Sequence, residues 1–478
     1  MLITIVAGVF VLGVVILVHE FGHFVVAKWT GVYVRTFSIG FGKKLLRYRK
    51  GETDYALSIL PFGGYVKFAG ETEYYGEEEA ASPKAPALAP ASAQGSTAAP
   101  AGPEKKGDEI PDSEIPRERY FTTKRPAVRA AILFAGPFMN YLIAVLLYIG
   151  VTFVEGTQVL PTTTIGKIDA GSVADSIGFR AGDRIISIDG VGVESWDGVV
   201  NAALGEENKR HAVVVQRDSG TVDIVYERPQ GAGSHPIGLR PLVPPRVGRV
   251  KREEPAYRAG IREGAVIESI NDTTITSFED LQRIVNANAN VGLYIRWTQD
   301  GAAHADTIVP VSMKTIKPGT MDEFIEVGAI GLSPYFVKEP MGLGASFVRG
   351  FTEANDMIVR IISYLGMLFT GKIGVQTLGG PILITQMAGD VARWGFDYLL
   401  VFLAFFSINL CIFNLIPLLP FDGGHLALLA YEAAVGRPVN RRLREIFMQA
   451  GFVLIILLML FVIMLDLNRC SGSSSGLF

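Results

Sequence analysis

Val18-His19-Glu20-Phe21-Gly22-His23 lies inside a hydrophobic run that extends from Met1 to Val26. Two histidines at positions i and i+4 project from one face of a helix, so both imidazoles can reach one tetrahedral Zn²⁺. The glutamate beside the first histidine can accept a proton from a water molecule that the metal activates. Ionisable groups are costly in an apolar segment of membrane length, so they indicate a functional site rather than side chains that merely reach towards the helix end.

The composition indicates a membrane protein with soluble parts. The chain has 478 residues, 49% of them hydrophobic, and a mean hydropathy of +0.32. This length allows two to four domains. The net charge of −3 gives no indication of a nucleic-acid partner. The two cysteines, Cys411 and Cys470, predict neither a disulfide framework nor a cysteine-based metal site.

Residues 1–30 predict a retained first span, because the segment lacks the basic start and the small-residue cleavage site of a signal peptide. Basic residues follow it: Lys28, Arg35, Lys43, Lys44, Arg47, Arg49 and Lys50. The positive-inside rule places that flank in the cytoplasm. At 1.5 Å per residue, His19 lies roughly 25 Å along the helix, so the metal site is expected inside the bilayer, towards its cytoplasmic leaflet.

The next segments differ sharply in composition. Residues 31–70 alternate apolar and polar side chains between glycines, which predicts a membrane-associated β-structure at the cytoplasmic face. Residues 71–118 are rich in Ala, Pro, Gly, Ser and Glu, and we expect a disordered insert. Residues 119–158 contain a second apolar run behind a basic flank, which predicts a second span that returns the chain outwards.

A repeat follows the second span. The pattern Gly-x3-Gly-x2-Ile-x2-Ile-Asp/Asn occurs at residues 178–189 and again, displaced by 82 residues, at 260–271. The first copy resembles PDZ domains, which bind extended peptides or chain ends by adding a strand to a sheet edge. We expect two PDZ-like α+β domains, at 159–240 and 241–316, on the periplasmic side. A steric filter and a peptide reader are both open roles for this pair.

The remainder predicts two more spans. Residues 317–394 form a periplasmic segment whose amphipathic pattern, at 341–370, predicts a helix lying at the outer membrane surface. Residues 395–435 contain the third span, and 436–470 contain a basic cytoplasmic loop and a fourth span, expected to be purely apolar. The end of the chain, 471–478, is interpreted as a tag or linker remnant.

A zinc hydrolase needs three protein ligands and an open position, and the first span supplies two ligands. Asp422 is the best candidate for the third, because helical rise along the third span brings it to the same leaflet as His19. Pro417 and Pro420 would break that helix and free the backbone to bring a carboxylate to the metal. His425 is a competing ligand, for which a loop position near the interface is the expected alternative. Capping of a neighbouring helix end is the alternative role of Asp422.

These motifs together resemble the site-2 protease family. They are HEFGH in the first span, Asn-x2-Pro-x4-Asp-Gly in the third, the glycine-rich stretches at 38–42 and 63–67, and the tandem PDZ-like insertion. The resemblance covers nearly the whole chain. It implies zinc-dependent cleavage, inside the bacterial inner membrane, of single-pass membrane proteins. An anti-sigma factor that is already trimmed on its outer side, in envelope-stress signalling, is the typical substrate.

The resemblance also implies roles for individual residues. His19, His23 and Asp422 would hold zinc, Glu20 would be the base, and Asn414 would contact the substrate or the developing oxyanion. A strand at the cytoplasmic face would hold the unwound substrate by backbone hydrogen bonds. The candidate substrate-binding residues are Gly63, Gly64, Tyr65, Val66, Lys67, Phe68, Asn409 and Pro417.

Two other function classes remain as alternatives. A membrane metal transporter would also carry His and Asp inside its spans, but it would need neither Glu20 nor two peptide-binding modules. A catalytically silent scaffold for envelope proteins would keep the PDZ-like pair but could lose Glu20. The complete set of ligands and base favours the enzyme. The predicted fold is therefore a polytopic α-helical membrane protein with four transmembrane helices, a β-structure at the cytoplasmic face and two periplasmic PDZ-like domains.

Overall fold

The computed structural model describes residues 2–70, 114–203, 210–218, 220–227, 238–316, 324–375, 378–437 and 439–471. The chain divides into two compact units. Residues 1–151 and 347–472 form the first unit, and residues 152–346 form the second.

The helices and strands are numbered in chain order. The helices are α1 (Leu2–Trp29), α2 (Pro126–Glu155), α3 (Val173–Ser176), α4 (Trp196–Ala203), α5 (Pro255–Arg258), α6 (Phe278–Ala287), α7 (Leu343–Phe369), α8 (Pro381–Trp394), α9 (Phe396–Asn414), α10 (Asp422–Val435) and α11 (Arg441–Ser471). The strands are β1 (Val34–Lys50), β2 (Thr53–Phe68), β3 (Thr157–Val159), β4 (Ile165–Ile168), β5 (Arg184–Ile188), β6 (Val191–Gly192), β7 (Arg210–Arg217), β8 (Gly220–Glu227), β9 (Leu239–Pro241), β10 (Val247–Val250), β11 (Val266–Ile270), β12 (Thr273–Thr274), β13 (Leu293–Gln299), β14 (Ala302–Ile308), β15 (Val311–Ile316), β16 (Phe324–Ala329), β17 (Leu332–Pro334) and β18 (Val337–Glu339).

Four helices in the described part of the chain are long and apolar enough to cross a membrane: α1, α2, α9 and α11. Each contains an 18-residue window with a mean hydropathy of 2.0 or more. Helix α7, where the amphipathic pattern predicts a surface helix, is not among them. It packs Ala354 and Ile361 into one core with residues of α2 and α9. The four helices agree with the expected polytopic membrane protein.

Strands β1 and β2 bend so that the hairpin contains four paired segments. Their order across the sheet is 44–50, 53–58, 34–39 and 64–68. The last of these pairs with 34–39 on one side, and no other strand in the described residues pairs with its opposite side. Positive φ angles occur at the bends, where only glycine is unstrained: Gly40, Gly42 and Gly63. The 64–68 segment is thus an edge strand.

The expected disordered insert, 71–118, falls mostly outside the described residues, which resume at 114. Its last residues are folded, because Ile115 is buried at 4% exposure. That side chain packs with Tyr33, Ala69 and Tyr120. The expectation of disorder is therefore wrong for residues 114–118. Of the expected tail remnant, Ser471 ends α11, and 472–478 lie outside the described residues.

The third span is broken where the prolines predict a break. Helix α9 ends at Asn414, and α10 begins at Asp422. A Cβ at Gly423 would lie 2.4 Å from backbone atoms of Leu415 and Ile416. Glycine therefore lets the start of α10 pack directly against the end of α9, and this close approach fixes where the Asp422 side chain begins.

The fourth span carries a buried carboxylate, so the expectation that it is purely apolar is wrong. Asp466 of α11 is 2% exposed. Its Oδ1 accepts from the Gly380 backbone N–H at 3.1 Å, and its Oδ2 accepts from the Leu383 N–H at 3.2 Å. These N–H groups lie at the N-terminus of α8, at its N-cap residue Gly380 and in its first turn, where a carboxylate also interacts favourably with the helix dipole. The fourth span therefore anchors α8.

The second unit contains two four-stranded sheets with the same strand order, β6-β5-β7-β8 and β12-β11-β13-β14. The matched glycines have matched conformations, with φ near +90° at Gly178, Gly182, Gly260 and Gly264. In the second half, β17 pairs with β10, and Ile330 is buried in the hydrophobic core that also contains Ile267 and Ile295. This half thus continues past residue 316, the predicted end of the second PDZ-like domain.

The equivalent backbone N–H groups of Arg180 and Arg262 find different acceptors in the two halves. In the first half, Asp183 accepts from the Arg180 N–H at 2.8 Å and forms a two-pronged ion pair with Arg217 at 2.7 and 2.8 Å. In the second half, the equivalents of Asp183 and Arg217 are Ala265 and Gln299. There Gln299 Oε1 accepts directly from the Arg262 N–H at 3.0 Å. Both members of the Asp183–Arg217 pair are therefore replaced in the second half, and the Arg262 N–H keeps an acceptor.

The turn that follows also differs. In the first half, Asp189 and Gly190 both have positive φ angles, of 53° and 79°. In the second half, only Asn271 has one, at 51°, and Asp272 stands in place of the glycine. The two substitutions in the second half, Ala265 for Asp183 and Asp272 for Gly190, thus alter local chemistry, while the strand order is kept.

We expect Asp183→Ala to increase the hydrogen-exchange rate of β5 and β7 amides about tenfold or more, because Arg217 and the Arg180 N–H lose their acceptor. Burial alone would raise the pKa of Asp183, but hydrogen bonds from Arg217 and Arg180 hold that pKa below its ordinary value. The stabilisation is therefore present at neutral pH and is lost as the pH falls through this lowered pKa.

The matched control is the double variant Asp183→Ala with Arg217→Gln, which reproduces the second half's pair. Native-state exchange on the intact protein should return close to wild type in this variant. Equal exchange rates in the single and double variants would contradict the idea that glutamine at position 217 compensates for the loss of Asp183.

Candidate metal centre and active site

Three candidate ligands from two separate helices meet at one point. His19 and His23 lie on α1, and Asp422 is the first residue of α10. The Nε2 atoms of the two histidines are 3.1 Å apart. Asp422 Oδ2 lies 3.2 Å from His19 Nε2 and 3.5 Å from His23 Nε2. Both histidines are buried, at 7% and 8% exposure. We call these three atoms the ligand triangle.

The ligand triangle fits a zinc ion. Zinc binds imidazole nitrogen and carboxylate oxygen at about 2.0–2.2 Å, and a tetrahedral arrangement then separates neighbouring donor atoms by about 3.3 Å. The observed separations of 3.1 to 3.5 Å bracket that value. Two neutral imidazoles and one carboxylate also leave the fourth position for water or substrate, which is the donor set of a catalytic zinc site.

Helix α2 shapes the other side of the triangle. A Cβ at Gly136 would lie 2.4 Å from His23 Nε2 and 2.7 Å from His19 Cε1, so only glycine leaves room for the rings. On α1, a Cβ at Gly22 would lie 2.3 Å from the Ala135 carbonyl oxygen. The two helices therefore cross here at close range through a pair of glycines.

The orientation of His23 is set by the α2 backbone. Its Nδ1 lies 2.8 Å from the Ile132 carbonyl oxygen. A carbonyl only accepts, so Nδ1 carries the proton and Nε2 presents a lone pair to the triangle. Pro137 removes one intrahelical donor from this region of α2.

Glu20 lies beside the edge strand. Its carboxylate accepts a hydrogen bond from the Val66 backbone N–H and interacts electrostatically with all three members of the triangle. A Cβ at Gly64 would lie 3.2 Å from Glu20 Cγ. The strand thus approaches the acid through a glycine, which brings the edge strand next to the candidate base.

Two amides contact His19. Asn414, at the end of α9, has its Nδ2 3.4 Å from both ring nitrogens. Asn140, on α2, has its Nδ2 3.3 Å from Nδ1. Sequence reasoning singled out Asn414 but gave no role to Asn140. The sequence did contain an indication of such a role, because an amide inside an apolar span is costly unless it has a partner or a function.

The remaining candidate residues from the sequence lie in the edge strand, in α9, in α10 and in the break between these two helices. Residues 64–68 form the edge strand described above, and Gly63 lies at the bend before it. Pro417 lies exposed in the break between α9 and α10. Asn409 donates to the Phe405 carbonyl within its own helix. His425 lies in α10 rather than in the expected loop, and it is not one of the three clustered ligands in the described residues.

Comparisons with known proteins agree with this arrangement. The family model described as Peptidase family M50 matches residues 7–458. The chain is 31% identical to Regulator of sigma-E protease RseP of Escherichia coli strain K12, over 96% of this chain and 97% of that protein. It is 31% identical to Protease RseP of Yersinia pestis, over 97% and 98%. It is 28% identical to a Neisseria meningitidis protein whose name describes a zinc metalloprotease, over 98% and 100%.

The extent of these matches confirms the resemblance to site-2 proteases, and with it the zinc dependence that the motifs imply. The chain belongs to peptidase family M50 and is an intramembrane zinc metalloprotease.

Proposed function

We propose that this protein cleaves the transmembrane segments of single-pass membrane proteins at a zinc ion held by His19, His23 and Asp422. The ligand triangle, with tetrahedral zinc spacing between the membrane-length helix α1 and the start of α10, carries this proposal. When bound, zinc lowers the pKa of a coordinated water and polarises the scissile carbonyl.

Glu20 is the general base in this proposal. Its carboxylate is close enough to the triangle to interact with all three ligands, yet it is not one of them. It can therefore accept a proton from the attacking water and deliver it to the leaving amine. Asn414 ends α9 within 3.4 Å of the His19 ring, so its amide can donate to the oxyanion that develops on the substrate.

The edge strand at 64–68, with Gly63 at the bend before it, is the proposed substrate-docking element. A helical substrate hides its peptide bonds and must unwind before cleavage. Unwound backbone in a membrane needs hydrogen-bond partners, and the backbone of an edge strand can supply them. Because Gly64 and Val66 of this strand contact Glu20, a segment paired with it would lie beside the base.

Replacing Val66 with proline should lower the cleavage rate about tenfold or more, because proline removes the N–H from which Glu20 accepts and disrupts the edge strand at which the substrate would pair. Zinc content should stay at the wild-type level. Val66→Ala is the control, because it keeps the N–H and removes most of the side chain. Cleavage assays with a reconstituted substrate measure both. Full turnover by the proline variant, or an equal loss in the alanine variant, would contradict a backbone role.

We assign the two halves of the second unit to PDZ-like domains on the periplasmic side. The matched glycine conformations and the equal strand orders support the repeat, and the basic residues that follow α1 support a cytoplasmic location for that end of the helix. Such domains bind peptides or chain ends at a sheet edge. They would either admit substrates by size or recruit them by sequence.

Two of the relatives carry the name RseP, and the full name of the Escherichia coli protein is Regulator of sigma-E protease RseP. We therefore propose an anti-sigma factor, trimmed on its outer side, as the substrate class, and an inner-membrane location in envelope-stress signalling. Neither alternative, a PDZ scaffold or a metal transporter, is favoured by the family match.

The experiment is cleavage of a trimmed single-pass protein in liposomes, with the cut position determined by mass spectrometry. We expect the cut inside the hydrophobic segment, its loss when a chelator removes the metal, and its return when Zn²⁺ is added. A cut outside the membrane segment, or cleavage that resists the chelator, would contradict the proposed function.

A further inference from the structure

A buried amide on α2 faces the imidazole of His19. Asn140 is fully buried, at 0% exposure, and its Nδ2 lies 3.3 Å from His19 Nδ1. Its Oδ1 has no hydrogen-bond partner among the described residues. An unpaired amide oxygen inside an apolar span is costly, so this side chain requires an explanation.

The hydrogen bonding of His23 indicates that the Nδ1–H of His19 also requires an acceptor. Both histidines direct Nε2 into the ligand triangle, so a neutral imidazole that binds the metal there carries its proton on Nδ1. The Nδ1–H of His23 donates to the Ile132 carbonyl, which fixes that ring. The Nδ1–H of His19 needs an equivalent acceptor, because such a partner orients a metal-binding imidazole and raises its basicity.

Asn414 does not meet this need. Its Nδ2 is equally distant, at 3.4 Å, from Nδ1 and Nε2 of His19. The two ring N–H directions diverge, so an atom equidistant from both nitrogens lies on the axis of neither. Asn140 contacts Nδ1 alone, and it stands on the same face of α2 as Ile132 and Gly136, at spacings of four residues.

We infer that Asn140 is a positioning residue that holds His19 in the zinc-binding tautomer. The inference rests on the proposed zinc role of His19. With metal bound, the amide presents Oδ1 to the Nδ1–H, which a half-turn of the amide about its terminal bond achieves and which avoids two donors facing each other. One face of α2 then orients both histidines, through the Ile132 carbonyl and the Asn140 amide, on either side of Gly136.

The test compares Asn140→Leu, which keeps the size of the side chain but removes the acceptor, with Asn140→Asp, which keeps the acceptor. Zinc affinity is measured by chelator competition on the purified full-length protein, and the visible spectrum of the Co²⁺-substituted protein reports the ligand geometry. We expect zinc binding about 10–100-fold weaker and a shifted Co²⁺ spectrum in the leucine variant. The aspartate variant should bind zinc close to the wild-type level.

Tyr148→Phe is the matched control, because it removes another buried polar atom of α2, two turns further along. Equal zinc affinity in Asn140→Leu and Tyr148→Phe would overturn the inference, as would an equal loss in the leucine and aspartate variants. Those results would leave the proposed function standing if His19→Ala still releases zinc. A wild-type protein that binds no zinc would overturn both.

Discussion

Glu20→Gln should lower the cleavage rate by a factor of about 10² to 10⁴, the range that a positioned general base contributes. Glutamine has the same size as glutamate, and its amide oxygen can still accept from the Val66 N–H. It cannot, however, take the proton of the attacking water. Because the ligand triangle does not include Glu20, the variant should bind zinc as the wild type does. Single-turnover cleavage of a membrane-embedded substrate, with metal analysis of the same sample, measures both quantities.

Glu118→Gln provides the control, because that side chain is exposed and outside the spans. It should cleave at the wild-type rate. Cleavage by Glu20→Gln within tenfold of Glu118→Gln would remove Glu20 from the chemistry. Loss of zinc from Glu20→Gln would instead indicate that this residue acts through the metal site.

Gly136→Ala should reduce cleavage at least about 100-fold and weaken zinc binding, although it adds a single methyl group. The new Cβ would lie 2.4 Å from His23 Nε2 and 2.7 Å from His19 Cε1, so the rings or the helix must shift, and either shift separates the donor atoms of the ligand triangle. Displacement of a reacting group by about 1 Å can cost about 100-fold in rate. Here the displaced atom is a candidate ligand itself, so the loss of metal should accompany the loss of rate.

Gly150→Ala on the same helix is the matched control, because a Cβ there meets nothing within 4 Å. It should retain both zinc and activity, since alanine is at least as compatible with a helix as glycine. If Gly136→Ala and Gly150→Ala behave alike, the close packing of α2 against the two histidines does not govern the site.

The main elements of the membrane unit were predictable because their signals are local. Long apolar runs gave four spans, alternation and glycines gave the β-structure, and the prolines gave the break before Asp422. The anchoring of α8 by Asp466 was not predictable, because it depends on a contact between residues 86 positions apart in the chain. The folded state of residues 114–118 was missed for a similar reason, since two of the residues that bury Ile115, Tyr33 and Ala69, lie far from it in the chain.

At the site, the His-Glu-His face of α1 follows from helical periodicity alone. The position of Asp422 followed from depth along the third span, which rests on a simple rise per residue. The contribution of α2 could not be derived in this way. Its residues Ile132, Gly136 and Asn140 reach the histidines only because α1 and α2 cross at a pair of glycines, and a crossing point between helices is a tertiary feature.

X-ray absorption at the zinc edge of the purified full-length protein tests most directly whether His19, His23 and Asp422 hold one metal ion. We expect one zinc per chain with two imidazole nitrogens and oxygen ligands at about 2.0–2.2 Å, and a loss of the metal in Asp422→Ala. A protein without zinc, a sulfur ligand, or an unchanged spectrum in Asp422→Ala would contradict a zinc site built by α1 and α10.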